Sequence, residues 1–504
     1  MAGYAGFINS QIWRISMTRE KIFGRETEIK ILDNLWNSSE AEFLAIYGRH
    51  RVGKTYLIRE YFSNKKCIYF EITGQKDGNL EQQLENFIKI FSKIFTNDLP
   101  LRSPLNWKNA FELLTKEIEK ISKSQNIVLF FDELPWLATK RSGMLQALDY
   151  YWNRFWSRYS NLTFVVCGSA ASWMLDNLIN AKGGLHNRLT KTILLKPYNL
   201  KGTQQFLAYR NIHLNPKQVL DHYMVFGGIP YYLKQIEKGK SALQNINKVC
   251  FQVDGLLYDE FDRLFRSLFA NAEDSLLIIK AISQFRYGIS REELIKSIEI
   301  SSGGTLNNRL RELESAGFIQ TYIPYGRKIK DHYYRVIDEY CYFYLNWIEP
   351  FKKKGMSEGK EYWQTKGKTP AAVTWAGYAF ENICFKHIDQ VRQALDLQAI
   401  SCEIGSWKFI PPKGKKDLGA QIDLLFDRED GIFTLCEIKY AENLFVLEKP
   451  DAKNIINKIE VFESHVQAKK QTLVALITTK GLKSSIWSKE LIQNVVTLED
   501  LLKF

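Results

Sequence analysis

The sequence lacks any apolar run long enough to cross a membrane and any closely paired cysteines. No stretch approaches the roughly 18 to 20 consecutive apolar residues that a spanning helix needs. The seven cysteines and seven histidines are scattered, and no Cys-x-x-Cys pair occurs. This dispersal argues against a zinc site and a disulfide framework and indicates free thiols in a reducing cytoplasm. The N-terminus also lacks the charged start and apolar core of a signal peptide, so we expect a cytoplasmic protein with no membrane partner.

Length and positive charge are the features that the chain does have. Its 504 residues exceed what one hydrophobic core supports, so about two to four domains are expected. The hydrophobic share of 45% and the charged share of 25% are ordinary for a globular protein. The net charge of +13 is compatible with a nucleic-acid partner, although net charge alone is weak evidence for one.

Residues 48–55, GRHRVGKT, match the phosphate-binding pattern of Gly, four residues and Gly-Lys-Thr. Residues 43–47 predict a buried strand before this loop, and residues 55–62 predict a helix after it. Free backbone N–H groups and the positive helix end then face the phosphates, with Lys54 on the β and γ phosphates and Thr55 on magnesium. A glycine turn beside a surface lysine is the alternative. The predicted nucleotide contacts in the loop are Gly48, Arg49, Arg51, Val52, Gly53, Lys54, Thr55 and Tyr56.

Two further apolar runs end in polar residues. Residues 126–133, NIVLFFDE, predict a buried strand that ends in two carboxylates about eighty residues after the loop, which is a Walker B pattern. Asp132 would hold magnesium through water, and Glu133 would act as the general base on the attacking water. Residues 162–169 predict another strand, whose terminal Ser169 would face the γ phosphate; a plain turn serine is the alternative.

These motifs, with the opening at residues 23–26 and the Cys-Gly-Ser strand end, resemble archaeal-type P-loop ATPases on the AAA+/STAND side of that class. The resemblance implies that the nucleotide is ATP and that a helical lid carries the segment Gly-Gly-Ile-Pro at 227–230. By the same resemblance, the residues beside the adenine would be Phe23, Gly24, Arg25 and, from the lid, Pro230.

Arg188 lies in the segment 183–189, which matches the arginine-bearing stretch of the same family. It would stabilise charge on the γ phosphate, either from its own chain or from a neighbouring subunit of a homo-oligomer. A surface arginine in a glycine loop is the alternative.

Residues 289–336 have the order of a winged helix. Ser290 and Glu293 form a capping box, leucines at 306, 310 and 313 form one helix face, and residues 317–336 predict a hairpin with a basic tip. The leucine face leaves Arg309 and Arg311 largely exposed. As a DNA-binding module the unit would place these two arginines in a major groove, with Arg327, Lys328 and Lys330 on phosphates. A packing or regulatory role inside the ATPase is equally open.

The C-terminal residues resemble the PD-(D/E)XK nuclease superfamily. Glu381 lies in a predicted helix and Asp423 in a strand, and the next strand carries Glu437 and Lys439 on one face because side chains alternate. The resemblance implies that Asp423 and Glu437 hold magnesium with help from Glu381, while Lys439 orients or activates water. An inactive domain that only binds DNA is the alternative.

We therefore expect an α/β protein with a P-loop parallel sheet, a helical lid, a winged helix and a C-terminal α/β restriction-endonuclease-like domain. The expected function is ATP hydrolysis that gates magnesium-dependent DNA cleavage, in genome defence or mobile-element biology. The alternatives are a non-cleaving switch that binds DNA or a protein partner, and a ring-forming protein remodeller. The predicted boundaries are 1–19 for a disordered extension, 20–198 for the ATPase core, 199–270 for the lid, 271–350 for the winged helix, 351–370 for a linker and 371–504 for the nuclease-like domain.

Overall fold

The computed structural model describes residues 22–503 except 181–184, 186, 299–302, 329–330, 356–358, 360, 412–417 and 467–468. The predicted N-terminal extension therefore lies outside the described residues, as do Lys330 and part of the segment around Arg188. Within the described part of the chain, no helix is long and apolar enough to cross a membrane.

The N-terminal unit, residues 22–198, is built on a parallel sheet covered by helices on both faces. Its strands are β1 (Glu42–Tyr47), β2 (Cys67–Thr73), β3 (Asn126–Asp132), β4 (Leu162–Gly168) and β5 (Lys191–Leu194). Within the described residues the strand order is β2-β3-β4-β1-β5, and every pair is parallel. Strands β3 and β4 are almost entirely buried because both faces are covered, which explains their continuous apolar sequences. The helices are α1 (Glu26–Trp36), α2 (Lys54–Ser63), α3 (Leu80–Phe95), α4 (Trp107–Lys120), α5 (Leu134–Leu137), α6 (Met144–Arg154) and α7 (Ala171–Met174), which continues as a π-helical turn at Leu175–Ile179.

A helical segment, residues 200–268, packs beside the carboxyl edge of this sheet. Gly228 lies against Tyr198, and its carbonyl accepts a hydrogen bond from Tyr198 N at 2.8 Å. A Cβ at this glycine would lie 1.7 Å from the Tyr198 carbonyl oxygen, so no other residue fits without moving the backbone. The helices are α8 (Leu200–Tyr209), α9 (Pro216–Phe226), α10 (Pro230–Leu233), α11 (Ala242–Phe251) and α12 (Glu260–Leu268).

The hairpin unit, residues 272–336, combines three helices with an antiparallel sheet of order β6-β8-β7. Leu306, Leu310 and Leu313 are buried on one helix face, as the sequence periodicity predicts. Its elements are α13 (Ala272–Ser283), β6 (Ile289–Ser290), α14 (Arg291–Ser297), α15 (Gly304–Ser315), β7 (Ile319–Tyr322) and β8 (Tyr333–Val336).

The predicted linker 351–370 is packed structure in the part that is described. Phe351 and Trp363 are buried, and the Trp363 ring packs on Phe251 and Phe343. The lysine run at 352–354 favoured a linker, but the neighbouring aromatic residues bury large apolar surfaces and hold this segment in the packed structure. The elements here are α16 (Glu339–Phe343), a π-helical turn (Tyr344–Ile348), α17 (Glu349–Lys353) and α18 (Tyr362–Lys366).

The C-terminal unit, residues 370–503, is a mixed sheet of order β15-β13-β11-β10-β9 with helices around it. Strand β10 pairs antiparallel with β9 and β11, whereas β11, β13 and β15 run parallel. The strands are β9 (Cys402–Phe409), β10 (Ala420–Arg428), β11 (Ile432–Lys439), β12 (Phe445–Val446), β13 (Gln471–Thr478), β14 (Leu482–Lys483) and β15 (Asn494–Thr497). The helices are α19 (Pro370–Lys386), α20 (Ile388–Ala394), α21 (Lys449–His465), α22 (Ile486–Leu491) and α23 (Leu498–Lys503).

Candidate functional site

The loop between β1 and α2 lies at the carboxyl edge of the parallel sheet. Gly48 has a φ of +140°, and a Cβ there would lie 2.4 Å from the Leu195 carbonyl oxygen, so the loop starts where only glycine fits. Gly53 immediately precedes α2, which begins at Lys54. The loop thus leads into the first turn of a helix whose backbone N–H groups have no helical partners.

Lys54 is buried, and its ammonium group is held by neutral oxygens. Nζ donates to the carbonyls of Gly48 and Arg49 at 3.1 and 3.0 Å and to the Ser169 hydroxyl at 3.0 Å. Among the described residues, no carboxylate lies within salt-bridge distance of this ammonium group. A buried cation without an ion-pair partner is costly, and an anionic phosphate would offset that cost.

The two Walker B carboxylates have different partners. Thr55 Oγ1 donates to both oxygens of Asp132, at 3.1 and 2.9 Å, whereas Glu133 accepts bonds from Ser169 N at 3.0 Å and Ser169 Oγ at 2.5 Å. Burial raises the pKa of Glu133, and Lys54 and Ser169 offset part of that rise. A raised pKa suits a general base, whereas the Thr55–Asp132 pair presents hard oxygens. These oxygens fit magnesium, which is commonly held by one or two carboxylates together with phosphates and water.

These side chains line one cavity of about 710 Å³, which loop residues 50–56 also line. Phe23, Arg25 and Pro230 also line it, and the Tyr198 hydroxyl donates to the Phe23 carbonyl at 2.6 Å. Among the described residues, the predicted contacts that do not line the cavity are Gly24, Gly48, Arg49 and Arg188. Arg188 is exposed. Sequence reasoning missed lining residues that the helical segment brings in: Tyr209, Arg210, Tyr231 and Lys234.

Arg49 and Arg51 connect the loop to distant helices. Arg49 forms a buried ion pair with Asp338, which is the N-cap residue of α16. Arg51 Nη2 lies 2.9 Å from Glu260 Oε2 at the start of α12. The loop conformation is therefore coupled to the helices that follow the sheet. The Arg49 guanidinium is turned toward Asp338, so the predicted nucleotide contact of Arg49 stays a prediction for its backbone.

A second polar site lies in the C-terminal unit, where Glu381, Asp423, Glu437 and Lys439 line one groove of about 660 Å³. The backbone N of Ile438 donates to Asp423 Oδ2 at 3.4 Å, which joins the two strands at this point. Lys439 Nζ lies 2.9 Å from Glu437 Oε1, and Lys458 Nζ lies 2.5 Å from Glu437 Oε2. Lys458, on α21, was not predicted, because a lysine on an amphipathic helix carries no motif.

The carboxyl groups of this groove influence one another. Burial and the Asp423 charge raise the pKa of Glu381 to about 7, although Arg286 lies 2.9 Å away. Burial and Glu437 also raise the pKa of Asp423. Burial alone would raise the pKa of Glu437, but Lys458 and Lys439 outweigh it and lower that pKa.

A bound cation would relieve the repulsion between Asp423 and Glu437. Carboxylate oxygens are ligands of the kind that magnesium prefers. In this structure, however, both oxygens of Glu437 are paired with Lys439 and Lys458. Within the described ranges no group of three or more His, Cys, Asp or Glu side chains is arranged to hold a metal.

The predicted DNA-contacting residues differ in their surroundings. Arg309 is not largely exposed as predicted, because it pairs with Glu312 at 2.6 Å and is 17% exposed. Arg311 donates to both oxygens of Asp176, at 3.1 and 2.9 Å, so α15 is tied to the turn after α7. Arg327 and Lys328 are exposed.

Residues 22–236 match the family of ATPase domains found predominantly in Archaea. This part of the chain is therefore an archaeal-type ATPase domain, in agreement with the cavity just described.

Several relatives and solved structures similar to the chain come from archaea. An uncharacterized Methanocaldococcus jannaschii protein, MJECL04, is 23% identical over 86% of this chain and 89% of its own length. An uncharacterized ATP-binding protein of that organism, MJ0074, is 24% identical over 56% of this chain and 86% of its own. The Walker-type ATPase PABY2304 of Pyrococcus abyssi has a TM-score of 0.45 and 20% identity, covering 65% of this chain and 97% of its own. The ORC2 protein of Aeropyrum pernix has a TM-score of 0.41 and 13% identity, covering 67% and 96%.

Proposed function

We propose that this chain binds and hydrolyses ATP with magnesium and that its nucleotide state controls a nucleic-acid-cleaving site in the C-terminal unit. The observation that carries the proposal is the convergence of Lys54, Thr55, Asp132, Glu133 and Ser169 in one cavity. They come from the ends of three neighbouring parallel strands, where ligand sites of such sheets lie. The description of MJ0074 as an ATP-binding protein also supports it.

In the nucleotide cavity, Lys54 holds the phosphates, and Thr55 and Asp132 hold magnesium. The metal supplies Lewis-acid polarisation of phosphate oxygens. Glu133 accepts a proton from the attacking water, and Ser169, which donates to Glu133, keeps that carboxylate oriented. Phe23, Arg25 and Pro230 surround the base. The exposure of Arg188 supports a role toward a neighbouring copy, which makes a homo-oligomer part of the proposal.

The two loop arginines couple the bound nucleotide to the conformation of the rest of the chain. Arg49 pairs with Asp338 and Arg51 with Glu260, and both carboxylates are buried. When phosphates bind, the loop rearranges and these ion pairs must either move with it or break. Because Asp338 caps the helix that follows the hairpin unit, the change is passed to that unit and to the C-terminal groove.

In the C-terminal groove, Asp423 and Glu437 hold magnesium with Glu381 beside them, and the metal supplies charge stabilisation at a scissile phosphate. Lys439 orients the attacking water. The substrate is DNA, which Arg327 and Lys328 contact through phosphates, and the hairpin unit acts as a winged helix. The proposed domains are residues 20–198 for the ATPase core, 199–270 for the lid, 271–350 for the winged helix and 371–504 for the nuclease-like domain.

The test is a paired assay of ATP hydrolysis and of plasmid and linear DNA cleavage in magnesium, with and without ATP. Lys54→Ala is expected to abolish hydrolysis and to change cleavage, whereas Glu437→Gln abolishes cleavage and leaves hydrolysis intact. Lys66→Ala, an exposed lysine just after α2, is the matched control and changes neither activity. Cleavage that persists in Glu437→Gln would remove the nuclease from the proposal.

A second candidate is a non-cleaving ATPase switch whose hairpin and C-terminal units only bind DNA or a protein partner. The observation that favours it is that Lys439 and Lys458 already engage both oxygens of Glu437. ATP hydrolysis with no cleavage under any nucleotide, together with DNA binding that changes with ATP, would establish this switch.

A further inference from the structure

A smaller cavity of about 160 Å³ opens beside the carboxylate groove, between the hairpin unit and the C-terminal unit. Glu381 and Asp423 line both spaces, so the cavity is continuous with the proposed cleavage site. Its walls combine aromatic rings and cations with the carboxylates of Glu293, Glu381 and Asp423. The lining rings are Phe285, Tyr287, Tyr322, Tyr333, Phe385 and Trp407.

Arg335 is a buried cation in this wall. Its Nε and Nη2 donate to Gln320 Oε1 at 3.0 and 2.6 Å, and its guanidinium lies 3.6 Å from the Phe385 ring centroid. No acidic side chain of the described residues lies within salt-bridge distance of it. Burial lowers the pKa of Arg335 to about 10, and Tyr322 and Glu381 offset part of that effect. An unpaired buried guanidinium that faces a cavity favours an anionic ligand.

Further cations surround the mouth of the cavity. Lys408 Nζ lies 5.4 Å and the Arg286 guanidinium 4.4 Å from the centre of the Tyr287 ring. Arg327 also lines the space. The apolar side chains of Phe285 and Ile410 at the mouth are 39% and 69% exposed. Aromatic rings interleaved with cations are the composition of sites that stack bases and hold phosphates of single strands.

We propose that this cavity takes the base of one nucleotide of a single nucleic-acid strand, next to the phosphate that lies at Asp423. The base stacks on Tyr287 or Tyr322, and the phosphate faces Arg335 and Lys408. A cavity of ~150 Å³ accepts a benzene-sized ring, so this one admits one unstacked base and no base pair. A duplex must extrude a base to enter, and a single strand already presents one. This inference rests on the proposed function, because it names the substrate of the same site.

The test is fluorescence anisotropy of a labelled ten-nucleotide single strand on the full chain, in EDTA so that no cleavage occurs. We expect the single strand to bind more tightly than its duplex. Tyr287→Ala is expected to weaken single-strand binding about tenfold or more, as loss of one stacking partner implies. Lys408→Ala, and Arg335→Gln if it keeps the wild-type melting temperature, weaken it as well. Lys483→Ala, an exposed lysine of β14 that lines neither space, leaves binding unchanged.

Three results would overturn the inference. The first is unchanged single-strand affinity in both Tyr287→Ala and Lys408→Ala. The second is equal affinity for duplex and single strand. The third is that dAMP binds in a manner that requires Tyr287 but is not displaced by the oligonucleotide. That result would assign the cavity to a free nucleotide. If the chain does not cleave DNA in magnesium but still binds single strands in a manner that requires Tyr287, the nuclease proposal fails and the binding site is supported. Failure of the proposed function can therefore be distinguished from failure of this inference.

Discussion

At the scale of single residues, Lys54 contributes to nucleotide affinity and Glu133 to the rate of ATP hydrolysis, and the two effects can be measured separately although Ser169 contacts both side chains. Lys54 donates to the Ser169 hydroxyl, which donates to Glu133. Glu133→Gln removes the proton acceptor and keeps the size of the side chain. We expect the hydrolysis rate to fall about 10²- to 10⁴-fold, with ATP affinity nearly unchanged, because Lys54 still binds the phosphates. Rate and nucleotide affinity are measured on the same protein.

Glu60→Gln is the control for that change, since it alters another carboxylate that lines the same cavity. Its hydrolysis rate is expected to match the wild type. If Glu133→Gln loses affinity in proportion to rate, Glu133 acts by holding Ser169 and Lys54 in place and is not the base.

The cavity residues that could be predicted from the sequence are those that belong to short motifs at strand ends. The loop 48–55 and the pair Asp132 and Glu133 are short patterns at strand ends, and the parallel sheet brings them together. Arg210 and Lys234 reach the same cavity through the packing of the helical segment, which no local pattern encodes. Arg309 illustrates the reverse error. Helical periodicity indicated an exposed side chain, but Glu312 and Asp274 engage it.

At the scale of elements, Gly228 sets how closely the helical segment approaches the N-terminal unit. Its Cα faces the Tyr198 backbone at a distance that excludes a Cβ. Gly228→Ala is expected to lower the free energy of unfolding by about 1–3 kcal/mol or more and to weaken ATP binding, since Pro230 lies two residues on. Urea unfolding and nucleotide affinity measure both effects. Gly304→Ala, where a Cβ meets no atom within 4 Å, is the control and is expected to show neither.

Helix α15 is held against the N-terminal unit by the bidentate Arg311–Asp176 contact. If Arg311 contacts DNA as predicted, Asp176 competes with the phosphate or base for its guanidinium. Asp176→Asn is then expected to raise duplex affinity a few-fold, because a partly exposed ion pair contributes only ~0–1 kcal/mol. Filter binding at two salt concentrations measures it. Unchanged affinity in Asp176→Asn, alongside unchanged affinity in Arg311→Ala, would assign α15 to packing.

At the scale of the whole molecule, the bounds of individual strands and helices could be predicted from the sequence more accurately than the packing of the units against one another. The predicted strand 126–133 is observed as Asn126–Asp132, and the predicted strand 162–169 is observed as Leu162–Gly168. A continuous apolar run determines such bounds locally. The supposed linker 351–370 carries helices whose buried aromatic residues pack between units, and the lysine-rich composition concealed this. Tyr325 at the hairpin tip likewise donates its hydroxyl to Asp427 of the C-terminal unit, a contact over 102 positions.

His387 is a buried link between the C-terminal unit and the helical segment. Its Nε2 accepts from the backbone N of Leu200, the first residue of α8, at 3.0 Å, and its Nδ1 lies 2.8 Å from the Ile383 carbonyl. A protonated imidazole has no acceptor, so the link requires the neutral ring. Burial lowers the pKa of His387 to about 4 from its ordinary 6.5. Between these values the undocked chain binds the extra proton, so the docked state loses stability as pH falls from 6.5 to about 4.

We therefore expect acid to weaken unit docking in the wild type more than in His387→Gln, which retains an acceptor oxygen and does not titrate. The urea midpoint is measured at pH 7 and pH 5, and His387 contributes at most roughly 2 kcal/mol to the wild-type loss. The exposed His213→Gln is the control and should follow the wild type. Buried His222, whose pKa is also lowered to about 4, adds acid sensitivity of the same sign to every variant. The informative quantity is therefore the difference between variants, and an equal pH dependence in His387→Gln and wild type would show that this link does not control docking.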